Sequence, residues 1–345
     1  MSVFEAVDFD NHDEVVFVND ETVGLKAIIA VHNINRGPGL GGMRMRPYKN
    51  SEEALQDVLR LSKGMTYKAA MMGVKLGGAK SVIIGDPRKD KTPELLAAMA
   101  EAIDHLGGRY IAGEDIGTNP LDMKELKKGT QYVSCLREED GGLGDPAPIT
   151  ALGTMHAIKA GLNYCHNSVD LEGIHVALQG VGNVGEDVCR QLSEAGAKIT
   201  ISDVYPDVVE RVAGLYNADI VAPDEIYDVE ADVFSPCAIG AIVNDYTISR
   251  LKVKIIAGSA NNQLATEAHG QQLAERGIIY LPDYVANGGG NIVCAAEWYK
   301  EGFGGVLAQV GKIYDTCTEI LEYAKATNTA TNFAANKIAE ERFQK

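Results

Sequence analysis

Six residues, Gly180-Val181-Gly182-Asn183-Val184-Gly185, follow an apolar run at 176–179 and open a helix-like stretch at 185–195 that Gly196 stops. A G-x-G-x-x-G with a strand before it and a helix after it reads as a phosphate-binding turn. The first glycine permits the tight turn, the second lets the backbone approach a pyrophosphate, and the third brings helix close to strand. Asn183, Val184 and Gly185 then present unpaired N–H groups at the positive end of the helix dipole. The next strand, 199–202, ends at Asp203, about 20 residues on. An acid there accepts hydrogen bonds from a ribose 2′-hydroxyl and repels a 2′-phosphate, which favours NAD over NADP. The simpler alternatives are a glycine-rich turn of an ordinary α/β domain and an Asp203 that only caps a turn.

Strand–helix alternation continues beyond this turn, the sign of a parallel sheet. Strands are expected at 232–234, 255–257 and 278–281. An amphipathic helix carries Val306, Val310, Ile313, Cys317, Ile320 and Leu321, and a final helix over 333–345 packs back on the first half. That first half reads differently. Strands at 15–18 and 25–31 flank a polar turn, and Ser51 caps a helix with Ala54, Leu55, Val58 and Leu59 on one face. Residues 80–84 form a buried strand, Thr92-Pro93 opens a helix closed by Gly107-Gly108, and 110–112 is a strand. The charged, Gly/Pro-rich stretch 137–148 separates the halves. A length of 345 residues suits two domains with a cleft between them.

Composition removes several classes of function. Acidic residues outnumber basic ones 48 to 32, a net charge of −16, and a nucleic-acid binder needs the opposite balance. No apolar run reaches the ~18–20 residues of a membrane span, and residues 1–16 lack the basic and apolar regions of a secretory leader. The six cysteines are scattered without a CxxC pair, and no metal-ligand spacing occurs, so they read as the thiols of a cytoplasmic protein without a metal site.

Chemistry-bearing residues concentrate in the first half. Gly41-Gly42-Met43-Arg44, Lys63-Gly64-Met65-Thr66-Tyr67-Lys68 and Gly77-Gly78-Ala79-Lys80 set three lysines and an arginine among small residues. Lysines are normally solvated surface. Lys68, however, follows an apolar helix, and Lys80 stands between two glycines and a buried strand, so both suit a cleft. Two neighbouring cations lower one another's pKa, so one lysine can act as a base while the other holds a carboxylate. Gly113-Glu114-Asp115-Ile116-Gly117 brings an acid to a strand end.

In order along the chain, GLGGMRM, LSKGMTYKAAMMGVKLGGAKSVIIGDPRKDK, GEDIGTN, GVGNVG, GSANNQL and PDYVANGGGN resemble the Glu/Leu/Phe/Val amino-acid dehydrogenases over nearly the whole sequence. The resemblance implies an α/β fold of two domains. One is a substrate-binding, catalytic and oligomerisation domain (1–147 plus 326–345); the other is a Rossmann-type, doubly wound NAD-binding domain (148–325). It implies a homo-oligomer, and composition adds the expectation of a cytoplasmic protein that binds neither nucleic acid nor membrane. The implied reaction is reversible, NAD-dependent oxidative deamination of an L-amino acid to its 2-oxo acid and ammonia, with hydride passing from Cα to the nicotinamide C4. By the same resemblance Lys80 activates the attacking water, Lys68 binds the α-carboxylate and Asp115 exchanges protons with the amine. Gly42 and Met65 line the substrate site, Asn262 lies beside nicotinamide and substrate, and Thr150, Ala238 and Asn287 approach the nicotinamide or ribose.

Glutamate-selective members carry a lysine where Leu40 stands and a serine where Cys294 stands. An unpaired carboxylate against Leu40 would cost several kcal/mol, so an apolar side chain is favoured. Leucine-type members have alanine at Gly113, whereas phenylalanine-type members have glycine, which makes room for a ring. Asn291 replaces an apolar residue, and it either reads a polar substrate atom or turns away to cap a helix. Leucine or valine is the expected substrate, with phenylalanine or tryptophan as the rival. The competing classes are a catalytically silent NAD-binding module and an alcohol or 2-hydroxy-acid dehydrogenase. The latter needs a basic histidine, and none of the seven lies in a motif that suggests it.

Overall fold

A five-stranded mixed sheet and a six-stranded parallel sheet organise the chain in the computed structural model, which describes residues 3–344. Met1, Ser2 and Lys345, the extremities of the expected first domain, lie outside the described residues. Unit 1 comprises Met1–Asp145, Asn291–Val306 and Ala339–Lys345; unit 2 comprises Pro146–Gly290 and Leu307–Ile338. The chain crosses between them at Asp145–Pro146, within the Gly/Pro-rich stretch. Two segments depart from the expected division. Residues 291–306 belong to unit 1 and 326–338 to unit 2, because the three C-terminal helices are each shared between units, a pattern that periodicity within one helix does not reveal.

Unit 1 runs β1 (Glu14–Asp20), β2 (Leu25–Asn33), β3 (Gly39–Arg46), α1 (Ser51–Met71), β4 (Gly77–Ile84), α2 (Pro93–His105), β5 (Tyr110–Glu114) and α3 (Pro120–Leu126). Its strand order is β1-β2-β4-β3-β5, antiparallel among β1, β2 and β4 and parallel from β4 to β5. Alternation along each strand feeds two cores. Ala79, Ile83, Met43 and Met45 meet α2 and α3 on one face, while Ala30, Ile28 and Val82 meet Ala54, Leu55, Val58 and Leu59 of α1 on the other. The cap of α1 is Asn50, whose side chain accepts the Glu53 N–H at 2.9 Å, one residue before the expected Ser51. Thr92 caps α2 as its sequence suggests.

Unit 2 runs α4 (Ala147–His166), β6 (His175–Gln179), α5 (Asn183–Glu194), β7 (Lys198–Ser202), α6 (Pro206–Tyr216), β8 (Asp219–Ile220), β9 (Val233–Pro236), α7 (Asp245–Ile248), β10 (Ile255–Ile256), α8 (Ala268–Glu275), β11 (Ile279–Tyr280) and α9 (Asp283–Ala286). Then follow α10 (Gly289–Tyr299), α11 (Phe303–Thr327) and α12 (Thr331–Phe343), the shared helices. The parallel order β11-β10-β9-β6-β7-β8 is that of a Rossmann-type sheet, with its switch point between β6 and β9. Among the described residues no helix is long and apolar enough to cross a membrane.

In unit 1 the end of α12 closes a ring cluster. His32 packs edge-on to His12 (4.8 Å between centroids) and to Phe343 (6.2 Å). Burial, reinforced by His12, pushes the His32 pKa down from 6.5 to about 4. A histidine held neutral by folding gains its proton more readily in the unfolded chain. Stability is therefore greatest above pH 6.5 and falls as the pH drops from 6.5 towards 4, by roughly 3 kcal/mol in all. Urea unfolding at pH 7.5 and pH 4.5 should show this loss, and His32→Gln should flatten it.

Candidate active site

One face of the unit 1 sheet carries the chemistry. In register, Leu40 pairs with both Gly78 and Ile111, and Gly42 with Gly113. Lys80, two residues beyond Gly78, therefore projects from the same face as Gly42 and Gly113, whose missing side chains leave a trough beside it. The fit is close. A Cβ on Gly42 would lie 2.7 Å from Glu114 O and 2.8 Å from Asp115 Cβ, and one on Gly78 would lie 2.0 Å from Thr66 N. The Gly78–Thr66 contact brings the end of α1 against β4, two residues before Lys68 on the helix and two before Lys80 on the strand.

Lys80 is buried and donates to Asp115 Oδ2. Arg44 donates to Asp115 Oδ1 through Nε and Nη2 (both 3.2 Å), and the Ile116 N–H donates to the same oxygen (2.5 Å). Burial lowers the Lys80 pKa below the ordinary lysine value, with Asp115 opposing the shift and Arg44 adding to it. Burial alone would raise Asp115, but Lys80 and Arg44 together hold its carboxyl below the usual Asp value. The expectation that a second lysine depresses Lys80 is thus corrected: burial comes first, and the cation acting on Lys80 is Arg44. Lys68 is half-buried in the last turn of α1. Lys63 points elsewhere, pairing with Asp10 at 2.8 Å.

Around this pair Leu40, Gly42 and Gly113 are buried and Met65 half-buried. Cys135 Sγ lies 2.9 Å from where a Gly113 Cβ would be, so a thiol occupies the room expected for a ring. Cys294, on α10, is buried and in hydrogen-bonding reach of Cys135, while Ser134 Oγ donates to its carbonyl at 3.1 Å. Asn291 is also buried, and neither its Nδ2 nor its Oδ1 has a protein partner. It lies inside the first turn of α10 and makes no capping bond, which removes the capping alternative.

Unit 2 carries the glycine turn at the carboxyl ends of its strands. Gly180 has φ +89° and packs so tightly that a Cβ would lie 2.6 Å from Ala238 Cβ. Gly182, the residue before α5, faces open space, and a Cβ on Gly185 would lie 2.0 Å from Gly180 O. The turn is thus tight at its first glycine, open at its second and closely packed at its third. Asn183, Val184 and Gly185 form the first turn of α5. Asp203 accepts the Val181 N–H at 2.9 Å and the Tyr205 N–H at 3.2 Å, so it braces the glycine turn. Each carboxylate oxygen retains a further acceptor position. Thr150 donates to Pro146 O, Asn262 has φ +52°, and Asn287 donates to Ser259 O (3.0 Å) and Asn261 Oδ1 (2.7 Å). The Asn287 Oδ1 is buried without a protein partner, an acceptor free for a ligand. With exposed Val204 and Ile239, these features fit a nicotinamide dinucleotide at the switch point.

Residues 10–132 match the sequence model of the Glu/Leu/Phe/Val dehydrogenase dimerisation domain, and residues 141–215 and 207–344 match that of Glutamate/Leucine/Phenylalanine/Valine dehydrogenase. The chain belongs to the Glu/Leu/Phe/Val dehydrogenase family.

Members of this amino-acid dehydrogenase family with different named substrates are equally similar to the chain. Leucine dehydrogenase of Bacillus cereus is 46% identical over 342 residues, covering 99% of this chain and 93% of the relative. Phenylalanine dehydrogenase of Caldalkalibacillus thermarum is 46% identical over 350 residues, covering 100% and 95%. The crystal structure of L-tryptophan dehydrogenase from Nostoc punctiforme superposes with a TM-score of 0.87 at 44% identity, covering 97% of this chain and 96% of that one.

Within the family fold, sequence reasoning left three participants without a role. Asp57, buried on α1, receives Arg44 Nη1 at 3.0 Å, and Tyr48 donates to it at 2.8 Å. Cys135 fills the space beside Gly113. Glu297, on α10, accepts the Leu136 and Leu143 N–H groups at 3.2 and 3.3 Å. The readable signal was Asp57, an acid between Leu55 and Val58 on the apolar side of an amphipathic helix.

Proposed function

We propose that the chain catalyses NAD-dependent, reversible oxidative deamination of an apolar L-amino acid of the leucine or valine type, giving the 2-oxo acid and ammonia. The observation that carries this reading is the buried Lys80–Asp115 pair on a sheet face floored by Gly42 and Gly113. Lys68 holds the substrate α-carboxylate. Asp115 exchanges a proton with the substrate amine. Lys80, whose ammonium burial makes easier to deprotonate than that of a free lysine, takes a proton in its neutral form from the water that attacks the imino carbon. NAD, when bound, accepts the hydride released from the substrate Cα. Thr150, Ala238, Asn262 and Asn287 hold its nicotinamide end, and the glycine turn its pyrophosphate.

Leu40 offers no partner to a side-chain carboxylate, which argues against glutamate. The Cys135 thiol in the Gly113 hollow favours a branched aliphatic side chain over an aromatic ring, the second reading. Match of residues 10–132 to a dimerisation domain supports a homo-oligomer. Rates with a panel of L-amino acids and NAD test the proposal. Leucine and valine should lead; dominant turnover of tryptophan, phenylalanine or glutamate would overturn the substrate assignment. NAD preference rests on Asp203, which is followed by Val204, Tyr205 and Pro206 and no cation. Asp203→Ala should raise the NADP-to-NAD ratio of kcat/KM at least about tenfold, and an unchanged ratio would reject the role of the acid.

A further inference from the structure

Asp115 has two carboxylate oxygens with different duties. Oδ2 meets Lys80, while Oδ1 takes the Nε–Nη2 edge of Arg44 and the Ile116 N–H. The guanidinium has a second edge, and its Nη1 donates to Asp57 Oδ2 at 3.0 Å. Asp57 is itself held fast: Tyr48 donates to Oδ2 at 2.8 Å and Arg60 to Oδ1 at 3.0 Å. Both carboxylates and the guanidinium are largely withdrawn from water, with side-chain exposures of 9%, 12% and 13% for Asp57, Asp115 and Arg44. One planar cation thus joins α1, the helix carrying Met65 and Lys68, to the end of β5 through β3. A lysine ammonium has no rigid fork with which to span two such acceptors.

We propose that Asp57 is a positioning residue: through Arg44 it fixes the Asp115 carboxylate so that Oδ2 faces Lys80. Asp57 touches neither substrate nor cofactor in this assignment, which rests on the deamination reading above. Three charged groups from three elements act on Lys80, namely Asp115 after β5, Arg44 on β3 and Asp57 on α1. Removing the Asp57 charge takes away one of the two carboxylates that favour the Lys80 ammonium, and Arg44 is left less neutralised.

Asp57→Asn, Arg44→Lys and the double variant test this, each compared with wild type. Expected for Asp57→Asn is a fall in kcat of about tenfold or more with NADH affinity unchanged. The pH at which Lys80 becomes reactive towards trinitrobenzenesulfonate, followed by mass spectrometry, should move down. Because both residues act through one link, the double variant should lose little more than either single variant. Additive losses, or an unmoved Lys80 reactivity profile, would overturn the proposal. The labelling does not need turnover. A wild-type enzyme inactive on every amino acid would sink the deamination reading, while the Lys80 profile would still decide the role of Asp57. Should Asp57→Asn fail to fold, Arg44→Lys carries the same two readouts: a lower kcat and a moved profile support the link, and wild-type values for both reject it.

Discussion

Lys80→Ala is expected to lower kcat for amino-acid deamination by about a thousandfold or more, the scale of a lost general base in a buried site. Nucleotide affinity should not change, because the glycine turn and Asp203 lie in unit 2 and Lys80 in unit 1. Two features make the variant interpretable. Arg44 and the Ile116 N–H still neutralise and hold Asp115, so no buried charge is left without a partner and the chain should fold. Burial lowers the pKa of Lys80, so the wild-type rate should rise with pH as the ammonium gives up its proton at a value below that of a free lysine. That limb should vanish from the profile of the variant. Steady-state NADH absorbance between pH 7 and 10, beside a fluorescence titration of NADH, checks both statements. Wild-type turnover in Lys80→Ala would remove the lysine from the mechanism.

Gly42→Ala is the second large effect, and it acts through space alone. The added methyl would meet Glu114 O at 2.7 Å, Asp115 Cβ at 2.8 Å and Asp115 Oδ2 at 2.9 Å. Neither the strand-end carbonyl nor a carboxylate pinned by Arg44 yields freely, so the acid must shift away from Lys80. A displacement of this kind far exceeds what a reacting constellation tolerates, and kcat should fall by about a hundredfold. Overpacking should also cost about 1–3 kcal/mol of stability. The comparison that matters is kcat against thermal midpoint. A variant that loses stability but keeps its kcat would show that the Asp115 position is not critical.

Much of the Rossmann-type unit was open to reading because its signals are local. Val176-Ala177-Leu178 is apolar, Ile199-Thr200-Ile201 is β-branched, both runs are short and bounded by turn residues, and the glycine turn between strand and helix has one common structural use. In unit 1 the inner strand β3, between β4 and β5, was hidden. GLGGMRM has three glycines and no β-branched residue, so its propensity is poor. It is a strand because of what lies next to it: a Cβ on Gly41 would lie 1.6 Å from Ala79 O. Helix α4 was missed for the opposite reason. It is buried on several sides, so no polar face marks its period, and Gly153 and Gly161 admit Ile313 and Ile255 at close range.

The site divides in the same way. Lys80 and Asp115 stand out because glycines flank them in sequence. Asp57 and Cys135 do not, since their importance lies in partners 13 and 22 positions away, Arg44 and Gly113. The spare room expected at Gly113 could not be judged without knowing what fills it. Asp203 had two readings, ribose acceptor and turn brace, and the bonds to Val181 and Tyr205 add the second without using up its lone pairs.

The interleaved chain path fixes an order of events in biosynthesis. Phe343 packs against His32 and Tyr67, and Asn35 and Arg36 bind the carbonyls of Phe343 and Arg342, so the first unit borrows its closing piece from α12, some 200 residues after α3. A nascent chain holds all of β1 to α3 long before that piece leaves the ribosome. Until then the apolar edges of His12, His32 and Tyr67 lack their lid, and transiently bared surface of this kind is what makes an unfinished chain prone to self-association.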